Sequence, residues 1–284
     1  MIQDFNFHTH TFRCGHAEKN YTDEDYVKEA IEAGMKYLCF TDHMPYTSTM
    51  HSSENQRMNY DDRKEYLESI NKLKHKYKDQ IKIESGFEVE YLPGEEKYLK
   101  ELKQATDILI LGQHCTIFND KVKDIKTEMT DKELFDYANL IAKALELNIP
   151  DIIAHPDFFM RFRKEFGEEE KKASYIICEA AAKYNVPVEI NLAKIHNRLK
   201  NVEEKYPDLP YEEALKEAIR IIGYPCREFW KIAAKYNLKA VYGGDIHFKG
   251  QILKMNEYIK IANNVIGEEI LKELKFIDEN LEII

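Results

Sequence analysis

The histidines and carboxylates of this chain stand where a parallel sheet would gather them. His8 and His10 end the first β-type run, and His16 follows six residues on. Asp42-His43 follow a second run, Glu88 closes a third, His114 follows a fourth and His155 a fifth. Asp245 and His247 follow the last. Residues at i and i+2 project from one face of an extended strand, so His8 and His10 form a pair, and Asp245 and His247 repeat that spacing. Imidazole mixed with carboxylate suits zinc, iron or manganese, whereas an all-oxygen set would suit magnesium or calcium. Each piece alone is weak, because a single histidine after a strand is more often a hydrogen-bonded surface residue. A bland reading would also scatter histidines over helices. Only His75 does so clearly, while His51 and His196 lie in long polar stretches. The set is therefore read as a centre for two or three divalent ions.

The elements that must position these side chains alternate along the chain. Strand-like runs cover about Ile2–His8, Tyr37–Thr41, Ile81–Glu88, Ile108–Gly112, Asp151–Ala154, Val186–Ile190 and Ala240–Gly243. Amphipathic stretches lie between them: Asp23–Ala33, Arg63–Lys78, Asp131–Leu147, Glu168–Tyr184, Tyr211–Ile222 and Cys226–Tyr236. Thr22 and Thr130 are placed as N-caps, and Gly34, Asn148 and Asn237 as helix ends. Strict alternation predicts an α/β fold with a parallel sheet, and Ile108-Leu109-Ile110-Leu111 is apolar on both faces, as helix-covered strands are. A closed barrel and an open doubly wound sheet both fit the alternation. An open sheet would spread the ligand-type residues along an edge; a barrel gathers strand ends at one mouth, which favours the barrel. Pro45–Asp62 and Lys194–Pro210 are expected to be long loops. Residues 1–284 read as one domain, with 268–284 as a terminal closing segment.

Composition bounds the function classes. The chain has 284 residues, 44% hydrophobic and 32% charged, with a formal net charge of −10. Those values suit a globular enzyme. An acidic chain without a basic stripe makes a poor nucleic-acid binder. No apolar run approaches the roughly 20 residues of a membrane span. The opening residues lack a secretory pattern, and the five scattered cysteines include no C-x-x-C pair, so a cytoplasmic location is expected. Cys14 and Cys115, beside ligand-type residues, read as packing residues.

In these motifs the chain resembles the PHP (polymerase and histidinol phosphatase) family, and within it the histidinol-phosphate phosphatases. The matching pieces are His8-Thr9-His10-Thr11 with His16, Thr41-Asp42-His43, Gly86-Phe87-Glu88-Val89-Glu90-Tyr91 and Gly112-Gln113-His114. Ala154-His155-Pro156-Asp157, Glu189-Ile190-Asn191 and Gly244-Asp245-Ile246-His247 continue them in order. The resemblance implies a distorted (β/α)7 TIM-like barrel with a trinuclear site at its C-terminal mouth. It would place His8, His10, Glu88 and Asp245 on one ion. Glu88 would bridge to a second ion with His114 and His155, and His16, His43 and His247 would hold a third. It further implies phosphate-binding basic residues in two loops, here Arg161 and Arg198, although either could equally be a solvated surface arginine. Asn191 and His196 are further candidate substrate contacts.

The activity expected from this resemblance is hydrolysis of a small phosphate monoester, histidinol phosphate above all, in histidine biosynthesis. A metal-bridging hydroxide would be the nucleophile, served by His8, His10, Glu88, Asp245 and His247. Three divalent ions would outweigh the two ligand carboxylates and draw a phosphate dianion to the mouth. Alternatives in the same chemistry are a protein-tyrosine phosphatase and a nucleic-acid phosphodiesterase or exonuclease. An amidohydrolase barrel would typically place a metal-bridging lysine where this chain has His114. A non-catalytic metal-binding module is the least economical reading.

Overall fold

The computed structural model describes residues 2–47, 56–118, 121–125, 127–220 and 223–284. Among these residues ten strands, numbered along the chain, fall into two sheets. Seven answer to the expected runs: β1 (Phe5–Asn6), β2 (Tyr37–His43), β3 (Lys82–Val89), β4 (Ile108–Leu111), β7 (Ile152–Ile153), β8 (Val188–Asn191) and β9 (Lys239–Gly243). An eighth parallel strand, β10 (Lys275–Phe276), pairs with β9 and comes from the terminal segment. The order is β1-β2-β3-β4-β7-β8-β9-β10. The remaining two, β5 (Cys115–Phe118) and β6 (Lys121–Asp124), form a separate antiparallel hairpin after β4 that sequence periodicity did not reveal.

The eight strands form a curled sheet in which the segments after β1 and β9 meet at the mouth. There Thr9 bridges Ile246 in parallel, His10 N donates to Ile246 O at 2.8 Å, and Ile246 N donates to His8 O at 3.1 Å. Lower down the Gln3 side chain substitutes for main chain, donating to Tyr242 O at 2.7 Å and accepting from Tyr242 N at 3.2 Å. The distorted TIM-like barrel is thus present: the segments after β1 and β9 close its seven expected strands at the mouth, and β10 adds an eighth parallel strand beside β9. The first strand is also shorter than expected. Phe5 and Phe7 both belong to the inner apolar cluster with Tyr37, Cys39, Ile108, Ile110, Ile152 and Val241. In an unbroken strand His8 and His10 would then face the helices. A bend at Phe7 ends the regular pairing and turns the imidazoles inward.

Helices cover the outer face. They are α1 (Asp23–Glu32), α2 (Arg63–Lys76), α3 (Glu96–Ala105), α4 (Asp131–Glu146), α5 (Glu168–Tyr184), α6 (Ala193–Lys205), α7 (Tyr211–Arg220), α8 (Arg227–Lys235), α9 (Met255–Ile266) and the short α10 (Glu268–Leu271). Thr22 and Thr130 cap α1 and α4 in reciprocal capping boxes. Asn148 and Asn237 take positive φ (53° and 47°) just past α4 and α8, as Gly34 does (74°) past α1. Outward-facing strand residues such as Leu38, Phe40, Phe87, Leu109, Ile190 and Tyr242 join helix residues in the larger cluster. The expected loop from Lys194 is instead α6, because Ile195, Leu199 and Val202 recur on one buried face. The middle of the Pro45–Asp62 loop, with His51, lies outside the described residues.

Candidate metal centre

Parallel strands deliver every predicted ligand to the mouth. Glu88, at the end of β3, is 1% exposed and sits at the centre. Its Oε1 lies 2.7 Å from His155 Nε2 and 3.6 Å from His8 Nε2 and His114 Nε2. Its Oε2 lies 2.8 Å from His43 Nδ1 and 3.6 Å from His10 Nε2. Asp245 Oδ1 approaches His10 Nε2 at 3.1 Å, His247 Nδ1 at 3.3 Å and His8 Nε2 at 3.5 Å. His16 reaches the cluster from the loop after β1, with its Nε2 2.9 Å from His247 Nε2. Five imidazoles therefore surround one carboxylate, and three approach the other. Glu88 can lie there because residue 112 is glycine; a Cβ at that position would overlap its carboxylate. His155 (φ 29°) and Asp245 (φ 48°) hold left-handed backbone that non-glycine residues rarely adopt, a strain that concentrates at functional sites.

The outer partners decide which nitrogens face inward. His8 Nδ1 lies 2.8 Å from Glu189 Oε2, His10 Nδ1 3.4 Å from Asp42 and His114 Nδ1 3.1 Å from Glu90. His16 Nδ1 faces Cys14 O at 3.3 Å and His247 Nδ1 faces Asp245 O at 2.9 Å. Carboxylates and carbonyls only accept, so each of these Nδ1 atoms carries a proton, and in a neutral ring each Nε2 then presents a lone pair. Yet His8 Nε2 and His10 Nε2 are 3.0 Å apart, as His16 Nε2 and His247 Nε2 are at 2.9 Å. Two lone pairs at that distance repel unless a cation stands between them. His43 Nδ1 and Glu88 Oε2, though 2.8 Å apart, lack hydrogen-bond alignment, and the buried His155 Nδ1 has no hydrogen-bond partner. The donor set thus suits divalent cations. Among the described residues five triads bring one ligand atom each within a single ion's reach: His8/His10/Glu88, His8/His155/Asp245, His43/Glu88/His114, His16/His43/His247 and His10/Cys14/His247.

The protonation tendencies divide the histidines into two groups around charged carboxylates. Burial opposes charge on Glu88, but the His114, His43 and His8 imidazoles outweigh it and hold the carboxyl well below its usual range. Burial likewise opposes charge on Asp245, and His8, His10 and His247 reverse it. Burial holds His16, His43 and His247 below the ordinary histidine value, hence neutral and able to ligate. Three others are pushed up against their burial: His8 by Glu189, Asp245 and Glu88, His10 to about 9 by Asp245 and Asp42, and His155 by Glu88. That acidic surround demands positive charge, which a divalent ion supplies without crowding two imidazolium rings together.

A cavity of about 540 Å³ opens over this cluster, lined by His16, His43, Glu88, His114, His155, Asp245 and His247 together with Arg57, Phe158, Arg161, Tyr224 and Phe248. Arg161 opens onto it, with its guanidinium 5.3 Å from the Phe162 ring centroid and 5.9 Å from that of Phe158. Arg198 does not line the cavity, and its Nε is buried without a partner. Lys194 is brought down to about 8 by burial and by the charges of Arg161 and Arg198, which puts the three cations near one another. Asn191 does not line the cavity. It is fully buried, donates to Glu189 Oε1 at 2.7 Å and to Asp245 Oδ2 at 3.2 Å, and braces both. His196 turns to α9, with its Nδ1 2.9 Å from the Tyr258 hydroxyl. The anchors Glu189 and Glu90 went unassigned in the sequence reading, though both lie inside quoted motifs, and Asp42 was noted only beside His43. Tyr224 carried no sequence signal.

Residues 6–193 match the PHP domain family. A relative from Deinococcus radiodurans, named "Probable histidinol-phosphatase", is 23% identical over 93% of this chain and 94% of its own length. The histidinol-phosphatase of Bacillus subtilis is 31% identical over 32% of this chain and 35% of its own. The crystal structure of the Lactococcus lactis histidinol phosphate phosphatase, complexed with zinc, L-histidinol and phosphate, superposes with a TM-score of 0.62 at 18% identity, covering 92% of this chain and 94% of that one. A Listeria monocytogenes structure given the same name provisionally reaches a TM-score of 0.68 at 21% identity, over 87% of this chain and 97% of that one.

Proposed function

This chain belongs to the PHP domain family, and on that premise we propose that it is a metal-dependent phosphatase that hydrolyses histidinol phosphate to histidinol and inorganic phosphate. The observation that carries the reading is the pairing of two unmet demands. Buried imidazole and carboxylate donors require cations, and Arg161 opens onto the same cavity without a carboxylate partner among the described residues. Lys194 and Arg198, within its electrostatic reach, add positive charge. Divalent ions meet the first demand, and a phosphate dianion bound to them and to Arg161 meets the second. Relatives named histidinol-phosphatase, one of them described with zinc, histidinol and phosphate, support the substrate.

His8, His10, Glu88 and Asp245 would hold one ion, Glu88 with His114 and His155 a second, and His16, His43 and His247 a third; zinc is the first choice, with iron or manganese chemically acceptable. Such ions supply Lewis acidity at the phosphoryl oxygens and a lowered pKa for water. The protein's own part is positioning. Glu189, Asp42 and Glu90 fix the His8, His10 and His114 rings, Asn191 braces Asp245, and Arg161 clamps the outer phosphate oxygens. Asp124 and Gln56 also line the cavity and give the polar end of the alcohol somewhere to bind. The chain is read as one domain, residues 1–284, closed by 268–284, in keeping with an apolar cluster that includes residues from Tyr26 to Phe276. Five free cysteines accord with a cytoplasmic setting.

The test is a phosphatase assay on zinc-loaded protein comparing histidinol phosphate, a phosphotyrosine peptide and a phosphodiester. A kcat/KM for histidinol phosphate at least about 100-fold above the others is expected, roughly 2.7 kcal/mol of transition-state discrimination. Equal or absent activity on histidinol phosphate would remove the substrate assignment.

A further inference from the structure

Tyr224 lies outside the family-matched residues, in the turn between α7 and α8, yet it lines the cavity beside Glu88, Asp245 and Arg161. Several interactions hold it there. Asp157, buried behind the site, accepts from Cys226 N at 2.6 Å and from Trp230 Nε1 at 3.1 Å, which ties the turn and the start of α8 to the loop after β7. Gly223 runs so close to that loop that an added Cβ would stand 3.0 Å from Met160 O and 3.3 Å from Arg161 Cα. The Tyr224 ring packs on Phe158 (centroids 5.7 Å) and His155 (6.3 Å). The ring is thus clamped between a predicted metal ligand and the loop that carries Arg161.

Its hydroxyl is not occupied. Tyr224 as a residue is 5% exposed, but among the described residues no group hydrogen-bonds its oxygen, which is also absent from the buried unpartnered atoms. A tyrosine hydroxyl is a neutral donor at ordinary pH. A neutral donor, fixed in place and lacking an internal acceptor, faces a cavity that Arg161 also lines.

We propose that the Tyr224 hydroxyl donates a hydrogen bond to a phosphoryl oxygen of the bound monoester, next to Arg161, and is a catalytic residue. This rests on the phosphatase reading above. It separates the oxygens contacted by this chain into one held by a charged donor and one held by a neutral donor.

The experiment uses zinc-loaded wild type and Tyr224→Phe, which removes one oxygen and keeps the ring. Binding of inorganic phosphate is measured by calorimetry, zinc stoichiometry by elemental analysis, and kcat/KM on histidinol phosphate and on 4-nitrophenyl phosphate. A hydrogen bond to a charged acceptor predicts phosphate binding roughly tenfold weaker, with a similar fall in kcat/KM on both esters and zinc content unchanged. Unchanged phosphate affinity would overturn the proposal. So would a loss confined to histidinol phosphate, which would put the hydroxyl on the leaving group, or a loss of zinc, which would make it a support for the ligands. If wild type fails to hydrolyse histidinol phosphate while phosphate binding still depends on Tyr224, the substrate reading falls and this inference stands.

Discussion

At the scale of single residues, the bond between His8 Nδ1 and Glu189 (2.8 Å) fixes which nitrogen of His8 faces the centre. Glu189 itself fits only because residue 243 is glycine, since a Cβ there would run into its carboxylate. The Glu189→Gln variant keeps an acceptor but loses the charge. Outer partners of ligating histidines are worth about 10- to 100-fold in metal affinity, so zinc binding weaker by that range is expected in a chelator competition. Gly112→Ala tests the centre from the other side. The added methyl must displace Glu88, and kcat/KM should fall more than about 100-fold with zinc occupancy, while the far-ultraviolet circular dichroism of the fold is retained. Full occupancy with full activity would mean that Glu88 is not where the ions bind.

Elements decide what each loop contributes. Helix α6 begins directly after β8 and docks on α9 through His196 and Tyr258. Burial, with Lys200 and Lys254 adding, lowers His196 to about 4, from an ordinary value of 6.5. The unfolded chain therefore takes up a proton between pH 6.5 and 4 that the folded chain refuses, and stability is lost as pH falls through that window. His196→Gln cannot titrate there. In urea melts the wild type should lose more stability than this variant between pH 7 and pH 5; parallel losses would show that His196 does not feel the buried contact. The same helix carries Lys194 and Arg198 toward Arg161, so an element expected to be loop supplies positive charge at a defined place.

For the whole molecule, the metal centre is also a closure. His8 and His10 flank the Thr9–Ile246 bridge that joins the segments after β1 and β9, and Asp245 and His247 flank it on the opposite side. Ions held by both segments would tie the curled sheet shut and relieve lone-pair and carboxylate repulsion. Zinc at about 100 times its dissociation constant would add about 2.7 kcal/mol. A domain of this size should then lose roughly 5–10 °C in Tm when a chelator strips the ions, a shift readable by calorimetry. No helix among the described residues is long and apolar enough to cross a membrane.

The sequence by itself determined the ligand types, their places at strand ends, the alternation of strand and helix, and the caps at Thr22 and Thr130. These follow from residue chemistry and short-range periodicity, which act within a few positions. The hairpin after β4, the bend at Phe7 that turns His8 and His10 inward, and the Gln3–Tyr242 bridge were decided only by the tertiary structure. So were the inward aim of Glu189 and Glu90 and the seat of Tyr224. Each depends on partners far along the chain, such as Ile246 for Thr9 and Asp157 for the Tyr224 turn, and local preference carries no record of which distant group will complete a contact.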